Sequence, residues 1–133
     1  MGIFNSFFGQ SNQKPEQINI NWNLLTDINQ LDDIVSLSND KPVVIFKHST
    51  RCSISRMALK QFEKEFNNQD EVSPYFLDLI IHREISNEIA SRFAVTHQSP
   101  QLLLIKKGVS IYNVSHDDID ASQLNELLIK NRT

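Results

Sequence analysis

Apolar residues recur every three or four positions in four stretches of the chain, which is the spacing of one buried face of an α-helix. The stretches lie near residues 27–38, 53–67, 85–93 and from residue 121 onward. The second is the most regular, because apolar residues from Ile54 to Phe66 follow at intervals of four while charged residues occupy other positions. Asp120 is expected to cap the last helix, with Gln123 at the capping-box position.

Apolar runs without helical spacing predict the strands. Val43–Phe46 and Val72–Leu79 suit strands covered on both faces, and a short strand is expected within Ile18–Leu25. Gln101–Ile105 and Val109–Val114 are separated only by a hairpin-length connection. Alternating strands and helices favour parallel pairing through right-handed crossovers, whereas the hairpin is antiparallel. The sequence therefore predicts an α/β fold with a central mixed sheet flanked by helices.

The composition allows one domain and argues against several classes of function. With 133 residues and 40% hydrophobic content the chain can build a single core, and a net charge of -3 without a basic block argues against a nucleic-acid partner. No run of about 18 apolar residues could span a membrane, and one cysteine cannot form an intramolecular disulfide. We expect a cytoplasmic protein with a flexible, polar tail at residues 1–18 and a domain at residues 19–133. The histidines lack metal-ligand spacing, and one cysteine cannot build a zinc or iron–sulfur site from the protein alone, so no metal is expected. No cofactor is expected either.

The only cysteine, Cys52, lies where the predicted central strand gives way to the second helix. A free cysteine often fills a core as a small hydrophobe, which is the simplest interpretation. Its neighbours, however, are polar and basic, and a helix N-terminus favours the thiolate form of a cysteine placed there. These features together favour a reactive thiol. The residues expected to line its site are Lys47, His48, Thr50, Arg51, Ser53 and Ser99.

The sequence does not decide between two alternatives for each of three neighbouring features. Ser55 follows Cys52 by three residues, and its hydroxyl could equally donate to the sulfur or cap the helix backbone. The Ser99–Pro100 bond could be trans, as in an ordinary turn, or cis. His48 and His97 could line the site or lie exposed in loops.

The order of predicted elements, with Cys52-x-x-Ser55 at a helix start and Ser99-Pro100 before a hairpin, resembles the thioredoxin superfamily from about residue 20 to the C-terminus. Two strings carry a closer resemblance, Lys-His-Ser-Thr-Arg-Cys-Ser-Ile-Ser at residues 47–55 and Val-Thr-His-Gln-Ser-Pro-Gln at residues 95–101. They are similar to the monothiol bacilliredoxin family, which is linked to the small thiol bacillithiol. Members of that family typically have proline directly after the cysteine, where this chain has serine.

The resemblance implies a thioredoxin-like fold in which Cys52 is redox-active, Ser55 stands where a dithiol relative has its second cysteine, and Pro100 is a cis-proline facing the thiol. It also implies a thiol–disulfide oxidoreductase. Such a protein takes bacillithiol from S-bacillithiolated client proteins onto its cysteine and is recycled by free bacillithiol. The charges of Lys47 and Arg51 would hold the carboxylates of the small thiol.

Two other functions remain open. A carrier similar to monothiol glutaredoxins would share C-x-x-S and hold an iron–sulfur cluster between two subunits, although Ser53-Ile54 replaces the Gly-Phe usual in such carriers. A thioredoxin-fold binding module without turnover would use the groove beside Pro100 to hold an extended segment of a partner.

Overall fold

The computed structural model describes residues 20–130, which fold into a five-stranded sheet with helices on both faces. The strands are β1 (Asn23–Leu24), β2 (Val43–His48), β3 (Ser73–Asp78), β4 (Gln101–Lys106) and β5 (Val109–Ser115), and the helices are α1 (Gln30–Leu37), α2 (Ser53–Glu65), α3 (Arg83–Arg92) and α4 (Ala121–Lys130). Short 3-10 helices cover Gln69–Glu71 and His116–Asp118. The strand order across the sheet is β1-β3-β2-β4-β5. Strands β1, β2 and β3 are parallel, whereas β4 is antiparallel to β2 and β5 to β4, so the predicted mixed sheet and hairpin are confirmed.

Strand β2 lies at the centre of the sheet, and all of its residues are buried. Its apolar side chains alternate between two cores, since Val43 and Ile45 pack with α1 and α3 whereas Phe46 packs with α2 and α4. The alternation continues past the apolar run, so Lys47 contacts α3 and His48 contacts α2. The two polar residues that end the strand therefore enter different layers of the protein.

The N-terminal part of the described chain contains the short strand that the sequence predicts within Ile18–Leu25. This strand is β1, and it covers Asn23–Leu24. Just before it, Trp22 packs against Phe62, with ring centroids 6.2 Å apart, and donates from Nε1 to Glu63 Oε2 at 2.6 Å. Side-chain packing therefore also holds this segment against α2. Helix α1 starts at Gln30, later than predicted, because the side-chain oxygen of this residue accepts two backbone N–H groups that precede it.

The predicted cap of the last helix is confirmed. Asp120 Oδ1 accepts hydrogen bonds from the hydroxyl (2.7 Å) and the backbone N–H (2.9 Å) of Ser122. These two bonds, the hydroxyl foremost, hold the pKa of Asp120 below its ordinary value, and the backbone N–H of Gln123 adds to the effect. The chain thus enters α4 in a fixed direction.

Residues 1–18, where the sequence predicts a tail, lie outside the described residues, so that boundary stays a prediction. Among residues 20–130, no helix has the length and apolar content needed to cross a membrane.

Truncating Phe62 to alanine should lower the free energy of unfolding by about 3–5 kcal/mol, because it removes a buried ring from the core between the sheet and α2. The ring is 1% exposed and lies 5.9 Å from Phe46 and 5.0 Å from Phe66, measured between centroids. Urea unfolding followed by circular dichroism measures the change. Ile129→Ala, at an exposed position of α4, is the matched control and should cost less than about 0.5 kcal/mol. Equal losses in both variants would contradict the assigned core.

Candidate active site

Cys52 lies at the end of the turn that joins β2 to α2. It is the N-cap residue of the helix, and its carbonyl accepts a helical hydrogen bond from the N–H of Arg56 at 3.1 Å. Its own N–H donates to Ser49 O at 3.2 Å, so the backbone is held on both sides. The residue is partly exposed, and its side chain makes no capping hydrogen bond to the helix. The structure therefore leaves the thiol at a helix N-terminus, accessible to an incoming disulfide.

Ser55 links the first turn of α2 to the end of β2. Its side chain is fully buried, its Oγ accepts a hydrogen bond from the backbone N–H of Ser49 at 3.0 Å, and the same oxygen lies 2.8 Å from Nδ1 of His48. These partners are neither the sulfur nor the backbone of the helix, so neither role considered from the sequence describes the contacts. The serine fastens the turn that carries the thiol to the strand before it.

His48 is a buried residue beside Ser55 and not an exposed loop histidine. Burial lowers the pKa of His48, the carboxylate of Asp78 partly offsets this effect, and Arg56 adds to it. Asp78 pairs with His48 in the parallel register of β2 and β3, and the ring of Phe76 lies 5.3 Å from the imidazole between centroids. The imidazole is therefore neutral at neutral pH and serves as a hydrogen-bonding partner beneath the turn.

The exposed neighbours of the thiol are polar and basic. Thr50, Arg51 and Ser53 are all exposed next to Cys52 along the chain. Arg56 Nη1 donates to Thr50 O at 3.1 Å, so one guanidinium braces the turn while that of Arg51 lies at the surface. The chain on either side of the sulfur thus exposes two residues with hydroxyl groups and one with a positive charge.

Lys47 has no exposed surface and lies on the α3 side of the sheet. Its Nζ donates to Ser86 O at 3.2 Å and lies 3.3 Å from Nδ1 of His97, and Ser86 Oγ is 3.3 Å from the same ring nitrogen. Burial lowers the pKa of Lys47 to about 8. Direct contact between Lys47 and the carboxylate of a ligand does not fit this geometry, because the alternation along β2 turns the side chain into the protein.

Pro100 comes directly before β4 and lies at the same edge of the sheet as the thiol. The Ser99–Pro100 peptide bond is cis, as the resemblance implies. Gln101 pairs with Lys47 in the antiparallel register of β2 and β4, and its Nε2 donates to Thr96 O at 3.0 Å, which holds the loop before the proline. Ser99 Oγ and Gln101 Oε1 are buried and have no hydrogen-bond partner among the described residues. The thiol turn and the cis-proline loop thus meet at one edge.

An apolar groove of about 380 Å³ lies beside the first turns of α2. It is lined by Ile54, Met57, Ala58, Gln61, His116, Asp117 and Ile119. Ile54 and Met57 are 54% and 71% exposed, so they present apolar surface close to Cys52 along the helix. The helical spacing of the sequence places Ile54 on the buried face with Phe62, and this is wrong for the first turn, where Ile54 lines the groove instead.

Three residues of the site were not predicted, namely Arg56, Asp78 and Ser86. Asp78 has a usable signal, because it ends the strand predicted beside β2 and the carboxyl ends of parallel strands meet at one edge of a sheet. Ser86 has no usable signal in the sequence, because it binds Lys47 through its backbone carbonyl and is 39 positions away. Among residues 20–130, no group of three or more His, Cys, Asp or Glu side chains could hold a metal ion.

The chain is similar to known thioredoxin-fold proteins. Residues 23–124 match the family described as monothiol bacilliredoxin BrxC. A solved structure described as a candidate oxidoreductase with a thioredoxin fold is 33% identical, with a TM-score of 0.68, and the match covers 77% of this chain and 89% of that one. Malassezia sympodialis thioredoxin (Mala s 13) is 20% identical with a TM-score of 0.64, over 91% of this chain and 97% of its own. Spinach chloroplast thioredoxin f is 20% identical with a TM-score of 0.60, over 90% of this chain and 100% of its own. The predicted thioredoxin-like fold is confirmed.

Ser55→Ala should lower the free energy of unfolding by about 1–3 kcal/mol, because it leaves the buried N–H of Ser49 and Nδ1 of His48 without their partner. Ser53→Ala, at an exposed position two residues earlier, is the control and should change it by less than about 0.5 kcal/mol. Chemical denaturation measures both. Amide hydrogen exchange at Ser49 should accelerate only in S55A, and unchanged exchange there would contradict the link.

Stability should rise with pH where Lys47 titrates. Lysine in an unfolded chain keeps its proton to about pH 10.4, whereas the pKa of Lys47 in the fold is about 8. The unfolded chain therefore binds more protons between these values, and the free energy of unfolding rises across that window by at most about 3 kcal/mol. Lys47→Met, which has similar length and no charge, should lack this contribution. Urea unfolding of both proteins at about pH 7 and about pH 10 tests it, and a difference in stability that does not change with pH would refute it.

Proposed function

The chain belongs to the monothiol bacilliredoxin family, and on that premise we propose that it removes bacillithiol from S-bacillithiolated client proteins through Cys52. The family and the thioredoxin fold establish a role in thiol redox chemistry. The substrate and the cycle described below are the proposed part.

The observation that carries the proposal is the isolation of Cys52. It is the only cysteine of the chain, and the position three residues later holds Ser55, which is buried and bonded to Ser49 and His48. No second thiol of the chain can therefore resolve a disulfide formed on Cys52. The cycle needs a thiol from outside, and a small thiol that also forms part of the substrate completes it with the fewest components.

In the first step, the Cys52 thiolate attacks the bacillithiol sulfur of the client's mixed disulfide. The bond between the client sulfur and bacillithiol breaks, and a disulfide between Cys52 and bacillithiol forms. The client cysteine leaves as a thiolate and takes its proton from water. The partly exposed sulfur at the start of α2 is accessible for this attack.

In the second step, the thiolate of free bacillithiol attacks the bacillithiol sulfur bound to Cys52. Cys52 leaves as a thiolate, and the two bacillithiol molecules depart as their disulfide. Over the whole cycle the client cysteine is reduced and the free bacillithiol is oxidised. This cycle needs a supply of reduced thiol, so we assign the protein to a reducing compartment such as the cytoplasm.

We assign the contacts with bacillithiol to the exposed side of the turn and to the cis-proline loop. Arg51 offers a guanidinium for a carboxylate, and the hydroxyl groups of Thr50 and Ser53 lie next to the sulfur along the chain. The loop with Ser99 and Pro100 bounds the same edge of the sheet from the other side.

We assign docking of the client to the apolar groove beside the thiol. Ile54 and Met57 expose apolar side chains there, and the groove follows α2 away from Cys52. A client segment that carries the mixed disulfide would bury this surface while the bacillithiol sulfur of that disulfide meets Cys52.

Cys52→Ser should reduce the removal of bacillithiol from a client to the uncatalysed background, because no other thiolate of the chain can attack. The measurement is intact-mass spectrometry of an S-bacillithiolated client incubated with the protein and free bacillithiol. Lys107→Gln, at an exposed turn on the opposite edge of the sheet, is the control and should keep full activity. The wild-type protein should also carry a bacillithiol adduct on Cys52 during turnover. Undiminished activity of C52S would overturn the proposal.

A further inference from the structure

Lys47 is a buried cation without an acidic partner. Among residues 20–130, Lys47 Nζ contacts the carbonyl of Ser86 and the ring of His97, and no carboxylate pairs with it. Burying an ammonium group among neutral partners is unfavourable for folding. The charge lies at the edge of the sheet that carries the thiol, where it can act on the neighbouring ring of His97.

Lys47 determines which nitrogen of His97 carries the ring proton. An ammonium group only donates hydrogen bonds, so His97 Nδ1, at 3.3 Å from Nζ, must be the acceptor. Burial, Lys47 and Arg83 all lower the pKa of His97, so the imidazole is neutral at neutral pH. Its single proton is therefore on Nε2, which faces away from Lys47.

His97 lies at the protein surface. Its side chain is exposed, and it belongs to the loop that Gln101 holds through the backbone carbonyl of Thr96. Arg83, at the exposed first position of α3, lies one helical turn before Ser86, whose Oγ is 3.3 Å from Nδ1 of His97, and its positive charge lowers the pKa of the imidazole. The patch thus has two exposed residues that can donate hydrogen bonds, Arg83 through its guanidinium and His97 through Nε2–H, and the buried charge of Lys47 lies behind His97.

We propose that this patch, formed by Arg83 and His97 and backed by Lys47, binds a carboxylate of the small thiol that becomes bonded to Cys52. The inference rests on the proposed function for the exchange itself. A carboxylate accepts hydrogen bonds from both donors and is attracted by the positive charges, whereas a neutral group gains neither advantage. Lys47 is a positioning residue here, because it acts through His97.

The test compares an anionic with a neutral small thiol. Dithiodipyridine converts Cys52 to its thiopyridyl disulfide, and release of thiopyridone reports attack on the Cys52 sulfur by thiomalate or by mercaptoethanol. The ratio of the two rate constants is divided by the same ratio for a thiopyridyl cysteine peptide, which removes the intrinsic reactivity of each thiol. A normalised ratio greater than unity that falls with added salt supports the proposal. A ratio of unity overturns it.

Variants then locate the preference. Arg83→Gln and His97→Ala should each lower the normalised ratio by about twofold to fivefold. His97→Gln, which keeps an N–H donor, should lower it less. Lys107→Gln removes one exposed positive charge at the opposite edge and should leave the ratio unchanged. If K107Q and R83Q changed the normalised ratio equally, or if R83Q and H97A left it unchanged, the carboxylate would not bind at the patch.

Lys47→Met tests the positioning role. Long-range nitrogen–proton NMR of His97 should show an unprotonated Nδ1 in the wild-type protein and a mixture of ring tautomers in the variant. The normalised ratio should fall in K47M as it does in H97A. An unchanged tautomer together with an unchanged ratio would refute the link between Lys47 and His97.

Peptide mixed disulfides with Glu or Gln beside the reacting cysteine identify the source of the carboxylate. A preference for thiomalate without one for the Glu peptide assigns the patch to the small thiol, as proposed. A preference for the Glu peptide alone overturns the proposal in favour of an acidic client. If Cys52 exchanged with both small thiols without preference, only the proposed patch would be contradicted. If Cys52 exchanged with no thiol, the proposed function would be contradicted as well.

Discussion

The hydrogen bond from the backbone N–H of Ser49 to the hydroxyl of Ser55 is the contact on which the rest of the site depends. It is buried, so water does not compete for either group, and it joins the exit of β2 to the first turn of α2. With that turn held, Cys52 caps a helix, and His48 stays inside beside the same hydroxyl. A single side chain thus fixes the place of the sulfur and the environment of the imidazole beneath it.

The fold follows from the sequence wherever burial is periodic or continuous. Val43–Phe46 predicts the central strand because every residue is apolar, and the four-residue spacing of the second helix predicts α2 because its inner stripe faces one layer. A short strand is predicted within Ile18–Leu25, but the exact bounds of β1 do not follow in the same way. Its neighbour Trp22 is held by Glu63, which is 41 positions away, and such a contact leaves no local pattern.

The candidate site is predictable only where consecutive residues carry it. The thiol at the strand–helix junction and its exposed basic neighbour Arg51 follow from the local sequence, and the importance of Ser99–Pro100 comes from the resemblance. The environments of Lys47 and His48 do not follow from the local sequence. The reason is that the apolar run ends at Phe46, whereas the strand continues for two more residues. Adjacent in sequence, these two side chains enter opposite layers and have partners from α3 and α2.

A site with one cysteine is oxidised to a disulfide only together with a sulfur of another molecule. In a dithiol protein both sulfurs of the disulfide belong to the chain, so dilution does not change the oxidised fraction at a given potential. Every disulfide that Cys52 forms includes a sulfur from another molecule, since the chain has no other cysteine. The fraction of protein that carries an adduct therefore follows mass action, as ligand binding does, and depends on the concentrations of the external thiol and of its disulfide. Such a chain responds to the amount of thiol around it as well as to the redox potential.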